Sequence, residues 1–199
     1  MTAGIVLTGG SSRRFGSDKS RLSLATGETI SSRAVRVLRE VCEPVIEVGP
    51  GITGAQSICE QPPGRGPVAA LLAGVDMVGA PVVVVACDQP AVSASVIARL
   101  AAFDGDSLVP VVDGRPQYLC ARYGSELIAI LRASFAEGDR SFRALDVDRL
   151  RALGACAEDF PRRAFVDLDT PDDLARWREI ERRDPAAVSE PNPSVESER

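Results

Sequence analysis

Residues 81–86 read PVVVVA, the most apolar stretch in a chain of 199 residues, and they show no alternation of apolar and polar side chains. A strand with one wet face alternates, so an unalternating run belongs to a strand covered on both faces. Strands of that kind sit in parallel sheets with helices on either side, which commits the chain to an α/β layer fold. Strand-like and helix-like patterns alternate around it. Residues 4–7 and 45–48 are short apolar or β-branched runs, and 57–59 is a shorter one. Between them, residues 28–41 place Ile30, Ala34, Val37, Leu38 and Val41 at helical spacing. Residues 60–67 (EQPPGRGP) are too rich in proline and glycine for regular structure. Pro67 suits the first position of a helix, and Val68, Leu71, Leu72 and Val75 follow at once. The expected architecture is a doubly wound, mostly parallel sheet with late antiparallel strands.

The second half is expected to add a capped helix over 93–103 and a strand over 107–112. A turn at Asp113-Gly114-Arg115-Pro116 then leads into a strand over 117–122, antiparallel to its neighbour. Residues 126–135 have a helical period, 138–150 form a short helix, and 164–166 (AFV) read as a short strand. Thr170 as N-cap with Pro171 at the first position starts a helix to about Arg182; Asp172 and Asp173 suit its positive end. Asp167 and Asp169 precede that cap and alternate about Leu168, so the helix does not account for them.

Net charge is −5, and the last sixteen residues carry three of those charges, with Asp184, Glu190, Glu196 and Glu198 against Arg199. An acidic chain with one basic loop argues against nucleic acid and for a small anionic ligand. There is no histidine, which excludes His-based acid–base or triad chemistry. Five scattered cysteines without a C-x-x-C make an ordinary zinc site improbable and suit buried thiols in a reducing cytosol. Neither a signal-peptide pattern nor a membrane-length apolar run is found, so a cytoplasmic protein without a membrane partner is expected.

The chemistry concentrates in residues 5–21, IVLTGGSSRRFGSDKSR. An apolar strand empties into Gly9 and Gly10, then into a loop with Arg13, Arg14, Lys19 and Arg21 against Asp18 alone. Adjacent glycines let backbone N–H groups approach a ligand, and cations beside them favour a polyphosphate. The glycine spacing fits neither the dinucleotide fingerprint nor a Walker loop, whose lysine directly follows its last glycine. A second candidate is Asp88, directly after the buried run. The carboxyl end of a central parallel strand is where open α/β sheets place ligands, and a hard carboxylate there is the expected partner of Mg²⁺.

LTGGSSRRFGSDK closely resembles the loop L-x-G-G-x-S-x-R-x-G-x-D-K of the molybdenum cofactor guanylyltransferase family. Residues 87–90 resemble its C-D-x-P, and GRPQYLCA at 114–121 its G-R-P-Q-P-L-C-A. The resemblance runs over residues 4–178. It implies a Rossmann-like fold of the nucleotide-diphospho-sugar transferase type, with Leu7, Thr8 and Gly9 at the base and ribose. Lys19 would hold the triphosphate with Arg14 as helper, and Gly10 and Asp88 would belong to the nucleotide site. The family's acid before its P-G-x-G-P-L-A-G loop aligns with Gln61, with Glu60 beside it. Residues 167–171 read D-x-D-T-P where the family usually has N-x-N-T-P, a form closer to cytidylyl-transferring relatives; Asp169 is the candidate second metal ligand beside Asp88. Arg115, Arg140 and Arg143 are candidate contacts to the acceptor, or exposed surface charges.

The resemblance implies Mg²⁺-dependent transfer of GMP from GTP to molybdenum-bound molybdopterin, with transient contacts to molybdoenzymes or other cofactor-biosynthesis proteins. The alternatives are a transferase using CTP or another small phosphate acceptor and, of another class, a nucleotide-binding regulator without turnover. A haloacid-type phosphatase is disfavoured, because it would need D-x-D at the first strand, where this chain reads LTGG. Residues 1–183 are expected to form one NTP transferase domain and 184–199 a disordered acidic tail, since three prolines and little apolar content cannot offset the entropy of ordering. Truncation after Arg183 is therefore expected to leave thermal stability and pyrophosphate release unchanged; a large drop in either would show that the tail docks.

Overall fold

The structure, a computed structural model, describes residues 2–9 and 19–183. Gly10, Arg13, Arg14, Gly16 and Asp18 lie outside the described residues, as do the Lys19 side chain and residues 184–199. The chain opens with β1 (Ala3–Leu7), α1 (Ile30–Arg39), β2 (Val45–Val48), β3 (Gln56–Ile58), α2 (Pro67–Val78) and β4 (Val82–Ala86). It continues with α3 (Ala94–Ala101), β5 (Val109–Val112), β6 (Arg115–Pro116), β7 (Cys120–Tyr123) and α4 (Ser125–Ala136). Last come α5 (Val147–Ala152), β8 (Cys156–Ala157) and α6 (Pro171–Arg183).

The main sheet has the order β3-β2-β1-β4-β7 and is parallel except for β7, which runs antiparallel to β4. All five residues of β4 are buried, because its two faces serve two cores. Val82 and Val84 pack under Val68, Leu71, Leu127 and Leu131 of α2 and α4. Val83 and Val85 pack under Val35, Leu38, Ile97 and Leu100 of α1 and α3. Period-2 side-chain alternation against two helical layers is the doubly wound arrangement. Gly74 lets α2 lie close on the sheet: a Cβ there would stand 2.7 Å from Ile5 Cδ1.

A small second sheet, β6-β5-β8, sits beside the first. Here the structure departs from the pattern expected above. The turn is Asp113-Gly114 alone, both at positive φ (51° and 73°), as a tight hairpin requires. Arg115 and Pro116, expected in the turn, form β6, paired with β5, and of the strand expected over 117–122 only the end is formed, as β7 (Cys120–Tyr123) paired with β4. Residues 164–166 are not a strand: Arg162–Phe165 is a 3₁₀ turn that buries Ala164 and Phe165 against Phe160. Residues 138–150 hold a 3₁₀ turn (Arg143–Leu145) and then α5, because Asp146 takes the N-cap and accepts from Arg149 N at 2.8 Å. α6 begins as expected, with Thr170 and Asp173 exchanging side-chain-to-backbone bonds across the first turn. Leu174 and Trp177 then pack on Leu24, Ile30 and Leu168. Among the described residues no helix is long and apolar enough to cross a membrane.

One buried charge joins the ends of β1 and β2. Glu47 is 0% exposed, opposite Val6 in the ladder, and points to the same face as Thr8. Its Oε1 accepts from Thr8 Oγ1 (2.6 Å), Gly51 N (2.8 Å) and Ile52 N (3.1 Å). Its Oε2 accepts from Thr53 N (3.0 Å) and Thr53 Oγ1 (2.6 Å). Burial by itself favours the neutral acid. The bonds from Thr53, Thr8 and the loop amides overcome that and hold the carboxyl below its ordinary value. A folded value below the unfolded one, ~4.3, gives stability that is complete above that pH and lost as pH falls through the folded value. Glu47→Gln turns an amide NH₂ toward these donors and is expected to cost roughly 2–4 kcal/mol at neutral pH. The gap from the parent should shrink below pH ~4. Urea unfolding at both pH values checks this; a gap that ignores pH would remove the charge from the account.

Candidate functional site

The carboxyl ends of β1, β2 and β4 open into a cleft of about 690 Å³. It is lined on one side by Leu7, Thr8 and Gly9, by Gly49 and Pro50 after β2, and by Asp88 after β4. The other wall is the loop into α2, including Glu60, Gly64, Gly66 and Pro67. The site thus falls where parallel strand ends leave a crevice between layers.

At the end of β1 the Thr8 hydroxyl is committed to Glu47, so the strand end presents mainly backbone to the cleft. Thr8 N donates to Val48 O at 3.1 Å and Gly9 N to the same oxygen at 3.4 Å. Gly49 passes directly beneath: a Cβ there would collide with Thr8 Oγ1 and lie 2.8 Å from Gly9 N. Only glycine permits this crossing. Because Glu47 also holds Gly51–Thr53, one carboxylate sets both strand ends that border the cleft.

Asp88 is half-buried at the mouth of β4. The ladder runs on past the strand, with Ala86 N bonded to Leu119 O (2.7 Å) and Cys87 N to Leu7 O (3.1 Å), which fixes where Asp88 emerges. Leu168 N donates to Asp88 O at 2.9 Å, and Gln89 Nε2 to Asp167 Oδ1 at 3.1 Å. Leu168 is fully buried while Asp167 and Asp169 are exposed on either side of it, so residues 167–169 run alongside 88–89. Asp169 belongs to this neighbouring segment and is not among the residues lining the cleft.

The other candidates divide. Gln61 is exposed and does not line the cleft; Glu60 does, its Oε1 accepting from Gly64 N at 2.8 Å. Arg115 sits exposed on β6 of the small sheet, and Arg143 is exposed on the 3₁₀ turn. Gly10, Arg14 and the Lys19 side chain lie outside the described residues. Cys59 is exposed and lines the cleft, unlike the buried Cys42, Cys87 and Cys120. Burial and the Glu60 carboxylate raise its thiol, which keeps it protonated and a poor nucleophile. Sequence reasoning missed Glu47. The signal was an acid inside an otherwise apolar strand, followed by the loop GPGIT with amides to satisfy.

Of the two carboxylates proposed from sequence, Asp88 lines the cleft and is a hard ligand of the kind Mg²⁺ takes when substrate phosphates and water complete its shell, whereas Asp169 lies on the neighbouring segment outside the lining. Among the described residues no group of three or more His, Cys, Asp or Glu side chains would hold a metal by itself.

Comparison with known proteins identifies the same architecture elsewhere. A family described as MobA-like NTP transferase domain matches residues 4–153. A probable molybdenum cofactor guanylyltransferase of Chloroflexus aggregans is 34% identical, covering 87% of this chain and 92% of that one. One from Mycobacterium avium is 35% identical over 72% and 79% of the two chains. The crystal structure of molybdopterin-guanine dinucleotide biosynthesis protein A from Archaeoglobus fulgidus superposes with a TM-score of 0.72 at 24% identity, covering 92% of this chain and 100% of that chain. A cytidylyltransferase from Thermus thermophilus, acting on 2-C-methyl-D-erythritol 4-phosphate, gives 0.66 at 18% identity over 92% and 100%, which speaks to the fold alone. A family match over most of the chain, with relatives aligned over most of both lengths, places this chain among the MobA-like NTP transferases, enzymes that transfer nucleotides.

Proposed function

We propose that the chain transfers GMP from GTP to the terminal phosphate of molybdenum-bound molybdopterin, with release of pyrophosphate. The observation that carries this is the cleft at the parallel strand ends, with the Leu7–Gly9 backbone on one wall and Asp88 at its floor, in a chain whose relatives bear that name. An oxygen of the acceptor phosphate attacks the α-phosphorus of GTP. The new P–O bond forms as the bond to the β-phosphate oxygen breaks, and pyrophosphate leaves with the electron pair. The attacking phosphate is already an anion, so no general base is needed, which suits a chain without histidine. The protein's part is to position the two reactants and neutralise charge.

Leu7, Thr8, Gly9 and Gly10 would seat the base and ribose, with Gln61 or its neighbour Glu60 at the base edge. Lys19 and Arg14 would offset the triphosphate. Mg²⁺ held by Asp88 and Asp169 would add charge neutralisation at the α-phosphate and leaving group. Residues 1–183 act as one domain in this reading. The enzyme is cytoplasmic and hands its product to molybdoenzymes through brief contacts.

Competition of GTP against CTP for the chain with Mg²⁺ present, followed by pyrophosphate release, tests the reading. GTP is expected to win. A win for CTP would move the assignment to a cytidylyltransferase, and binding without pyrophosphate release to a regulator. Asp88→Asn is expected to lower transfer roughly a hundred- to thousand-fold, as loss of a transition-state electrostatic group does, with the melting temperature unchanged. Asp169→Asn should do less. Lys19→Ala should weaken triphosphate use without unfolding the protein; an active Lys19→Ala, or near-normal turnover of Asp88→Asn at limiting Mg²⁺, would remove these residues from the site.

A further inference from the structure

Between the basic loop and α1 the chain makes a small hairpin over residues 22–30. Ser23 and Thr29 face each other as an antiparallel bridge, and Ile30 N donates to Leu22 O at 3.0 Å. The tip closes with Leu24 N on Glu28 O (2.9 Å) and Gly27 N on Leu24 O (3.1 Å), with Gly27 at φ 83°. The root of the hairpin reaches the cleft. The 3₁₀ turn Lys19–Arg21 leads into it, Ser20 lines the cleft, and Ser31 Oγ donates to Ser20 O from just past the hairpin's other end.

α6 grips this hairpin from far away in sequence. Ala25 N at the tip donates to Glu181 Oε2 at 2.8 Å, and Arg178 Nη2 donates to Ser23 O at 2.7 Å. Leu174 and Trp177 of the same helix pack against Leu24 and Ile30. The other end of α6 is tied to the Asp88 side of the cleft. Thr170 Oγ1 accepts from Asp173 N at 3.2 Å in its first turn, and Leu168 N, two residues before Thr170, holds Asp88 O at 2.9 Å. Thirteen residues rise about 20 Å, so one helix spans from the Asp88 segment to the hairpin tip.

Glu181 is a costly way to make one hydrogen bond. It is 5% exposed, and its Oε1 has no hydrogen-bond partner, like Trp177 Nε1 one turn earlier. Among the described residues it has no ion pair; Arg182 and Arg183, which follow it, pair with Glu179. It also stands in the last turn of α6, the negative end of the helix dipole, where a carboxylate is disfavoured. Burying a charge with a single bond costs stability, and Leu174 and Trp177 already supply adhesion between helix and hairpin. What the carboxylate adds is a fixed place for the Ala25 amide and, through the hairpin, for Ser20 at the cleft.

We propose that Glu181 is a positioning residue for nucleotide binding, and that α6 is the strut that holds the hairpin of residues 22–30 in register with Asp88. Glu181 does not line the cleft and acts through Ala25 and Ser20. Nucleotide binding and the Ala25–Glu181 bond are then linked, each strengthening the other by the same factor. This inference rests on the nucleotidyl-transfer reading of the cleft.

Two measurements on the full chain test it. In the first, GTP and CTP are titrated with Mg²⁺ by calorimetry into the parent, Glu181→Gln and Glu181→Ala. Gln keeps an acceptor for Ala25 N and is expected to bind nucleotide within about twofold of the parent. Its melting temperature should equal or exceed the parent's, because the buried charge is gone. Ala removes the acceptor and is expected to bind about tenfold more weakly, the loss of one hydrogen bond. In the transfer assay the Ala change should fall on the GTP KM and leave the acceptor KM as it is. The second measurement needs no variant and decides the matter if Glu181→Ala does not fold. Exchange of the Ala25 amide proton in the parent, followed by NMR, is expected to slow about tenfold when nucleotide saturates the cleft. Parent-like binding by Glu181→Ala, equal weakening in Gln and Ala, or an Ala25 proton indifferent to nucleotide would each overturn the strut. If CTP gives these responses and GTP does not, the positioning role stands and the guanylyl reading alone fails. A parent chain that binds neither nucleotide overturns both.

Discussion

The Glu47 carboxylate is wholly buried at the ends of β1 and β2, and a charge there is tolerable only while its lone pairs are in use. Its five bonds come from three places: the Thr8 side chain, the loop amides of Gly51, Ile52 and Thr53, and the Thr53 hydroxyl. None of these donors can move away without stranding a buried charge. The loop after β2 and the end of β1 therefore hold one another in place, and Gly49 is the residue whose missing side chain lets them cross. A neutral side chain would leave the same ladder hydrogen bonds intact but would no longer dictate the shape of the cleft wall.

That constraint explains a division of labour in the sheet. β4 supplies stability, with five buried residues serving two helical layers. β1 and β2 supply stability along their lengths and shape the cleft at their ends. The antiparallel β7 closes the edge beside β4 and sends α4 back along α2 toward the carboxyl edge of the parallel strands. A parallel strand in that place would have put the start of the next helix at the cleft instead.

Most of the frame was legible because it is written in long or well-punctuated patterns. The unalternating valines of β4, Pro67 at the head of α2, Ser93 as the N-cap of α3 and the Thr170-Pro171 start of α6 each follow from one local rule. What escaped were elements decided by distant neighbours. Residues 164–166 have the composition of a strand but no strand edge beside them, and burying Ala164 and Phe165 against Phe160 favours a 3₁₀ turn. β8 is two residues whose only claim to be a strand is the free edge of β5. The site shows the same split. Asp88 was legible because a buried strand ends at it. Glu47 was not, since its role depends on which loops the fold brings together.

The same logic bears on why a chain with an overall charge of −5 suits a reaction between two polyanions. Bringing a triphosphate and a phosphomonoester into one cleft costs repulsion that must be offset locally, and the acidic surface elsewhere does not help. In the proposed reading two offsets are spaced along the cleft: the loop cations at the nucleotide end and a divalent ion at Asp88, whose carboxylate ends the buried strand and so meets the phosphates where the two polyanions are brought together.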